Sequence, residues 1–278
     1  MLTQLVVWLN ALAGGIAGVA LAPVAWLPGW LSATAIAVAT GIAMLYVFKH
    51  TSNQSAIQRT RNRIRANLLA LSLFKDDLRV GLRCQGELLA GAVRLLTLSF
   101  VPMLVMLAPM CLLLGQLSLW YQARPLAVGE EAVVTLHLAN RDEQPIPEVR
   151  LQEAPGIALG AGPVRVPGKH LICWNIVAQE PGIHHLTFGV GEQTVTKQLA
   201  VGDGFLPTSL KRPGWNLTEV LLHPHETPFP AESPVQSIEV DFPERLSWTS
   251  GSRSWLAYWF LVSMAAGFAA RPLLNVKI

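Results

Sequence analysis

The chain has 278 residues, of which 51% are hydrophobic and only 14% charged. Soluble domains carry roughly a quarter charged residues, so the composition excludes a chain that meets water along its whole length. The formal net charge of +3 is the remainder of two opposed imbalances, a basic stretch before residue 95 and an acidic one after residue 120.

Residues 1–48 carry no charged side chain. A bilayer core about 30 Å thick takes about 20 apolar residues. Leu31–Phe48, with a little of its flank, meets that length and ends at Lys49-His50. Leu2–Ala22 has two readings. It is apolar enough to insert, yet Asn10, Gly14, Gly15 and Gly18 dilute it, and Pro23 and Pro28 separate it from the next run. It either crosses, making a tight hairpin through Pro23–Trp30, or lies in the membrane interface. It has no basic n-region and runs past the length of a signal-peptide core, so we read it as retained.

Residues 49–94 hold nine Lys/Arg against three Asp/Glu. From Ser52 to Leu73 there is no Gly or Pro, and Ile57, Ile64, Leu68 and Leu71 recur at helical spacing with arginines on the other face. Phe74–Asp77 reads as a break, with Asp76 or Asp77 available to cap a second helix from Leu78 that runs into the span at Leu95. The expectation is a basic helical hairpin. Its interaction residues are Arg59, Arg61, Arg63 and Arg65. They form a solvated face beside anionic headgroups, worth about 1 kcal/mol per basic residue near the surface, or a docking site for an acidic partner or ribosomal RNA.

Residues 95–120 give a second span. Pro102 and Pro109 lie seven apart on nearly one face, and each removes a backbone donor. Met103, Met106 and Met110 recur at helical spacing, as ordinary packing or as an adaptable surface for hydrophobic clients. Residues 254–278 supply the third span, Trp255–Ala270, and a tail with Arg271 and Lys277. Trp120, Tyr121, Trp255, Tyr258 and Trp259 fall at span ends, where interfacial aromatics belong. Small residues at four-residue spacing (Ala33, Ala37, Gly41; Ala35, Ala39, Ala43; Gly14, Gly18; Ser263, Gly267) permit close helix approach. No span contains Asp, Glu, Lys, Arg or His, which argues against ion-coupled transport. Basic residues near span ends place 49–94 and the tail in the cytoplasm and 121–253 outside.

Within a β-domain read over residues 121–203, residues 130–203 alternate with period two. Val134, Leu136 and Leu138, then Ile172, Trp174 and Ile176, then Leu186, Phe188 and Val190, then Val195, Leu199 and Val201 line successive strand faces. Shorter runs at Val149–Leu151 and Val164–Val166 bring the count to about six or seven strands. With frequent turn signals, this predicts an immunoglobulin-like β-sandwich anchored by Trp174. Residues 204–253 contain seven prolines and read as an extended segment between the sandwich and the membrane, with a strand at Ile238–Phe242.

No phosphate-binding loop, nucleophile elbow, zincin or dinucleotide fingerprint is present. His223, His225 and Glu226 could together coordinate zinc, but they share one proline-rich loop with no second cluster, and a surface loop is the plainer reading. His184 and His185 are adjacent in a strand and face opposite sides. Cys84, Cys111 and Cys173 fall in three different compartments, so no disulfide framework is expected. Asn216-Leu217-Thr218 is a glycosylation sequon, relevant only in a secretory pathway. No catalytic residue, cofactor or metal is assigned.

Phe48–Gln54 (FKHTSNQ), Leu73–Leu78 (LFKDDL), Val101–Pro109 (VPMLVMLAP), Pro163–His170 (PVRVPGKH) and Ser263–Pro272 (SMAAGFAARP) resemble segments of bacterial membrane proteins of unassigned function. That resemblance covers most of the chain and implies a bacterial inner membrane. The order of span, basic cytoplasmic hairpin, span, outer segment and returning span, over roughly 29–120 and 254–278, also resembles the YidC-type insertase superfamily in architecture. Here a β-domain interrupts the last two spans and no charged residue marks a hydrophilic groove, so no functional residue carries over.

The expected fold is membrane α plus extracytoplasmic all-β, with three transmembrane helices, or four if Leu2–Ala22 crosses. The expected role is a non-enzymatic scaffold or assembly subunit with a membrane or envelope partner. The alternatives are an insertase-like factor meeting the ribosome or nascent chain and, more distantly, a metal-dependent envelope enzyme.

Overall fold

The computed structural model describes residues 2–21, 27–73, 78–139, 147–251, 254–274 and 276. The chain divides into two compact units, Met1–Ala33 with Cys111–Tyr258, and Thr34–Met110 with Trp259–Ile278. Six α-helices are described: α1 (Leu2–Leu21), α2 (Gly29–Thr51), α3 (Gln54–Leu73), α4 (Leu78–Tyr121), α5 (Leu217–Leu222) and α6 (Trp255–Leu274). Among the described residues three helices are long and apolar enough to cross a membrane: Gly29–Thr51, Arg79–Tyr121 and Trp255–Leu274. The second hairpin helix and the second span are thus one continuous helix, α4, with Pro102 and Pro109 inside it. The proposed break and cap at Phe74–Asp77 lie outside the described residues.

The first unit holds nine described strands: β1 (Glu131–Leu138), β2 (Val149–Leu151), β3 (Ile157–Leu159), β4 (Val164–Val166), β5 (Leu171–Ala178), β6 (Gly182–Val190), β7 (Gln193–Val201), β8 (Lys211–Arg212) and β9 (Val235–Val240). One antiparallel sheet runs β3-β5-β1-β9-β8, with β4 also on β5, and a second runs β2-β6-β7. Alternation holds as read: Val134, Leu136, Ile172, Ile176, Leu186, Phe188 and Leu199 are fully buried in one cluster drawn from both sheets. Trp174 sits in that cluster 5.3 Å from the Phe188 ring.

The boundary read at residue 203 is not a boundary of the sheet. β9 lies between β1 and β8, with Val134 opposite Val240 and Leu136 opposite Ile238. It begins earlier than the expected Ile238–Phe242, at Val235. Prolines at 228, 230 and 234 stop just before it, so the strand keeps every donor its two ladders need. The chain enters this unit from α4 through a bidentate pair, Arg124 Nη1 and Nη2 donating to Glu130 at 2.7 and 2.8 Å, and Ala127 N donates to the same carboxylate at 2.8 Å.

α1 also belongs to the first unit. Its Asn10 Nδ2 donates to Val220 O of α5 at 2.7 Å, and Gly14 faces the Gln116 amide of α4. Of the polar and small residues that dilute this helix, Asn10 and Gly14 are therefore packing groups, whereas Gly15 and Gly18 face open space. In the second unit α2 and α6 cross at Gly41, where an added Cβ would run into the Ser263 carbonyl oxygen, while Gly267 lies against Gly41 O. Trp259 Nε1 donates to Thr40 Oγ1 at 3.0 Å beside that crossing. Of the small-residue rows, the one through Ala37 and Gly41 is buried, and Ala35, Ala39 and Ala43 are exposed.

Two outcomes follow from this packing. Gly41→Leu should lower the thermal stability of the detergent-purified chain by about 1–3 kcal/mol through overpacking, whereas Gly18→Leu, with open space around it, should leave the melt unchanged. The Arg124 hydrogen bonds hold the Glu130 carboxyl below its usual range. Its stabilising contribution is therefore full above the unfolded value near ~4.3 and is lost as pH falls through the lower folded value. Acid titration followed by circular dichroism should show a shallower loss of stability for Glu130→Gln than for the parent chain.

Candidate functional site

Two clusters of charged side chains, one in each unit, contain the residues that the sequence singles out. In the second unit α3 buries Ala56, Ile57 and Thr60. Gly91 of α4 admits α3 closely, since a Cβ there would stand 2.7 Å from Ile64 Cγ1. Beside this contact a recess of about 380 Å³ is lined by Arg59, Thr60 and Arg63 of α3 and by Glu87, Gly91 and Arg94 of α4. Thr60 Oγ1 is turned away to Ala56 O at 2.9 Å, which leaves the three guanidinium groups and one carboxylate to set the chemistry.

Among the described residues Arg59, Arg63 and Arg94 form no ion pair. Three like charges around one recess repel, and an anion placed between them relieves that repulsion. Guanidinium forks suit carboxylate or phosphate oxygens. The structure thus divides the expected arginine quartet. Residues four apart share a helix face and residues two apart do not, so Arg59 and Arg63 line the recess while Arg61 and Arg65 stand outside it. Sequence reading missed Arg94 and Glu87, two turns apart on α4. Their signal was available: they keep helical phase with Gly91, four residues after Glu87 and three before Arg94.

In the first unit the loop expected at the surface keeps His225 exposed, while Glu226 is tied inward. Lys197 of β7 is fully buried, 0% exposed. Its Nζ donates to Glu226 Oε1 at 2.6 Å, Ser209 O at 2.6 Å, Gln198 O at 2.9 Å and Ser209 Oγ at 3.3 Å. Glu226 Oε2 accepts from Gln198 N at 3.0 Å, and His225 Nε2 meets Gln198 Oε1 at 2.7 Å. Burial pushes the Lys197 pKa down, opposed by the Glu226 charge. Burial also lowers both His223 and His225.

This geometry belongs to a structural fastening. Glu226 spends both oxygens on β7 and Ser209, so the carboxylate of the His223, His225 and Glu226 trio is already committed. Among the described residues no group of three His, Cys, Asp or Glu side chains is placed to hold a metal ion. The three cysteines are free thiols.

Breaking one partner of a buried pair leaves an uncompensated charge and costs about 3–5 kcal/mol. Lys197→Met and Glu226→Met should each lower the unfolding free energy of the chain by that order. Lys197→Met combined with Glu226→Met should recover much of the loss, because neither charge then remains; a double-mutant cycle on denaturant melts reads the difference.

Comparison with family models, with curated proteins and with solved structures finds no match to this chain.

Proposed function

We propose that the chain is a non-enzymatic scaffold or assembly subunit of the bacterial inner membrane. In this reading α2, α4 and α6 cross the bilayer, the α3–α4 hairpin and the C-terminus face the cytoplasm, and 121–253 stand outside. The two sheets form an immunoglobulin-like module that meets an envelope partner. The hairpin recess takes an acidic segment of a membrane protein partner, with anionic headgroups around Arg59–Arg65.

The observation that carries this reading is the contrast between the two charged clusters. Arg59, Arg63 and Arg94 surround a recess without pairing to any described carboxylate, whereas Lys197 and Glu226 spend themselves on internal bonds. The first is an arrangement left open for a partner, and the second is closed.

A second reading, an insertase-like factor, has one observation in its favour. Met44, Met106, Met110 and Met264 line an apolar groove of about 260 Å³ with Gly41 and Gly267. Methionine adapts its shape to varied apolar surfaces, which suits a succession of hydrophobic clients.

Site-specific photocrosslinking in native membranes separates the two. A crosslinker at position 63 should give a discrete protein adduct that disappears with Arg59→Gln and Arg94→Gln. Adducts to lipid alone would count against the docking role. Adducts to many nascent chains from position 106, with none from 63, would favour the insertase reading instead.

A further inference from the structure

A second recess, of about 560 Å³, lies in the first unit and involves neither the hairpin nor the Lys197 cluster. Its principal lining groups are Leu27, Trp30, Asp203, Phe205, Arg245 and Trp248. It stands where three apolar helices begin or end. α2 starts at Gly29, α6 at Trp255, and α4 finishes at Tyr121. The ends are tied together, Tyr121 Oη to Ser32 Oγ at 3.1 Å and Gly251 N to Tyr121 O at 2.8 Å. If α2, α4 and α6 cross a bilayer, this recess is at headgroup depth.

The rim is strongly apolar. Leu246 is 97% exposed, Trp248 70% and Trp30 52%. Trp side chains with one wet end and one apolar body settle at a membrane interface. The lining also carries charges, which divide into committed and uncommitted groups. Arg124 is closed by its bidentate pair with Glu130.

Arg245 is different. Its Nε donates to Ala123 O at 2.9 Å, Nη2 reaches Gly204 O at 3.3 Å, and the guanidinium stacks 4.3 Å over Phe205. Among the described residues no carboxylate forms an ion pair with it. Burial pushes its pKa down to about 10, so it stays charged at neutral pH. Asp203 is exposed and likewise has no ion-pair partner among the described residues. Gly202 and Gly204 flank it at φ +134 and +104, positions an L side chain would strain, and so hold the turn that presents it.

We propose that this recess binds the phosphoethanolamine headgroup of a membrane lipid, the phosphate on Arg245 and the ammonium on Asp203, with the acyl chains leaving past Leu246 and Trp248. A zwitterion satisfies one uncommitted cation and one uncommitted anion together. A purely anionic headgroup would set its charge against Asp203. A choline headgroup has no N–H to donate to the carboxylate, which forgoes a charge-assisted hydrogen bond. The inference uses the membrane reading of the helices and not the assembly role, so loss of the position-63 adduct would leave it standing.

The test titrates the detergent-purified full chain with dihexanoyl phosphatidylethanolamine, dihexanoyl phosphatidylglycerol and water-soluble O-phosphoethanolamine, read by tryptophan fluorescence and native mass spectrometry. The parent chain should prefer the ethanolamine lipid over the glycerol lipid by about tenfold, the worth of one charge-assisted hydrogen bond. Asp203→Asn, at an exposed turn, should bring that ratio close to one. Trp248→Ala should weaken both lipids and leave the ratio intact. Arg245→Gln should abolish both, with circular dichroism confirming its fold. Equal affinity of the parent chain for the two lipids, or an unchanged ratio in Asp203→Asn, overturns the proposal whatever Arg245→Gln does. Equal affinity for O-phosphoethanolamine and the lipid overturns the lipid assignment in favour of a soluble ester.

Discussion

A lysine ammonium with no exposed surface is tolerable only where other groups replace its water. At Lys197 the replacements come from Glu226, Ser209 and the Gln198 carbonyl. Two of those three residues belong to the proline-rich stretch, so the demand of one buried charge fixes where that stretch runs. Ser209 and Glu226 are drawn onto β7, and the chain then has only a short path to Val235, where β9 lies between β1 and β8 in the first sheet. Arg212 reinforces the same path, stacking 4.2 Å over Phe229 and donating to Thr227 O at 2.9 Å. A segment that composition marks as a linker is thereby the closing element of the β-unit.

Much of this architecture was legible in the residue pattern. Strand faces follow from strict alternation, and the buried side of β1, β5 and β6 is the side that alternation names. The position of β9 was not legible, because Val235–Val240 is short and isolated among prolines, and nothing local says which strand it joins. Lys197 could have been found. It keeps phase with Val195, Leu199 and Val201 on β7, and a lysine in step with a buried face requires a partner from elsewhere. Its partner, Glu226, lies 29 residues away, a distance over which periodicity carries no information.

The helical segments divide in the same manner. Apolar length alone identifies α2, the second half of α4 and α6. Which small-residue row is used depends on a crossing that one helix cannot specify: Gly41 meets Ser263, and the row through Ala39 is exposed. The basic hairpin was visible as a charge imbalance, but its useful geometry is a matter of phase. Two of the four arginines share a face, and the third member comes from the opposing helix at Arg94. The recess at the helix ends was wholly hidden, being assembled from residues in 27–30, 124–125, 202–205 and 245–250.

The insertion of β9 beside β1 bears on how the chain is made. Synthesis delivers β1 more than ninety residues before β9, counting from Leu138 to Val235. During that interval one edge of β1 has its backbone donors and acceptors uncovered, the kind of edge that recruits foreign strands. The sheet closes only when residue 240 has left the ribosome, shortly before α6 follows. Completion of the β-unit and emergence of the last apolar helix are therefore nearly simultaneous events, and a chain cut after residue 203 would carry an open seam in place of a finished module.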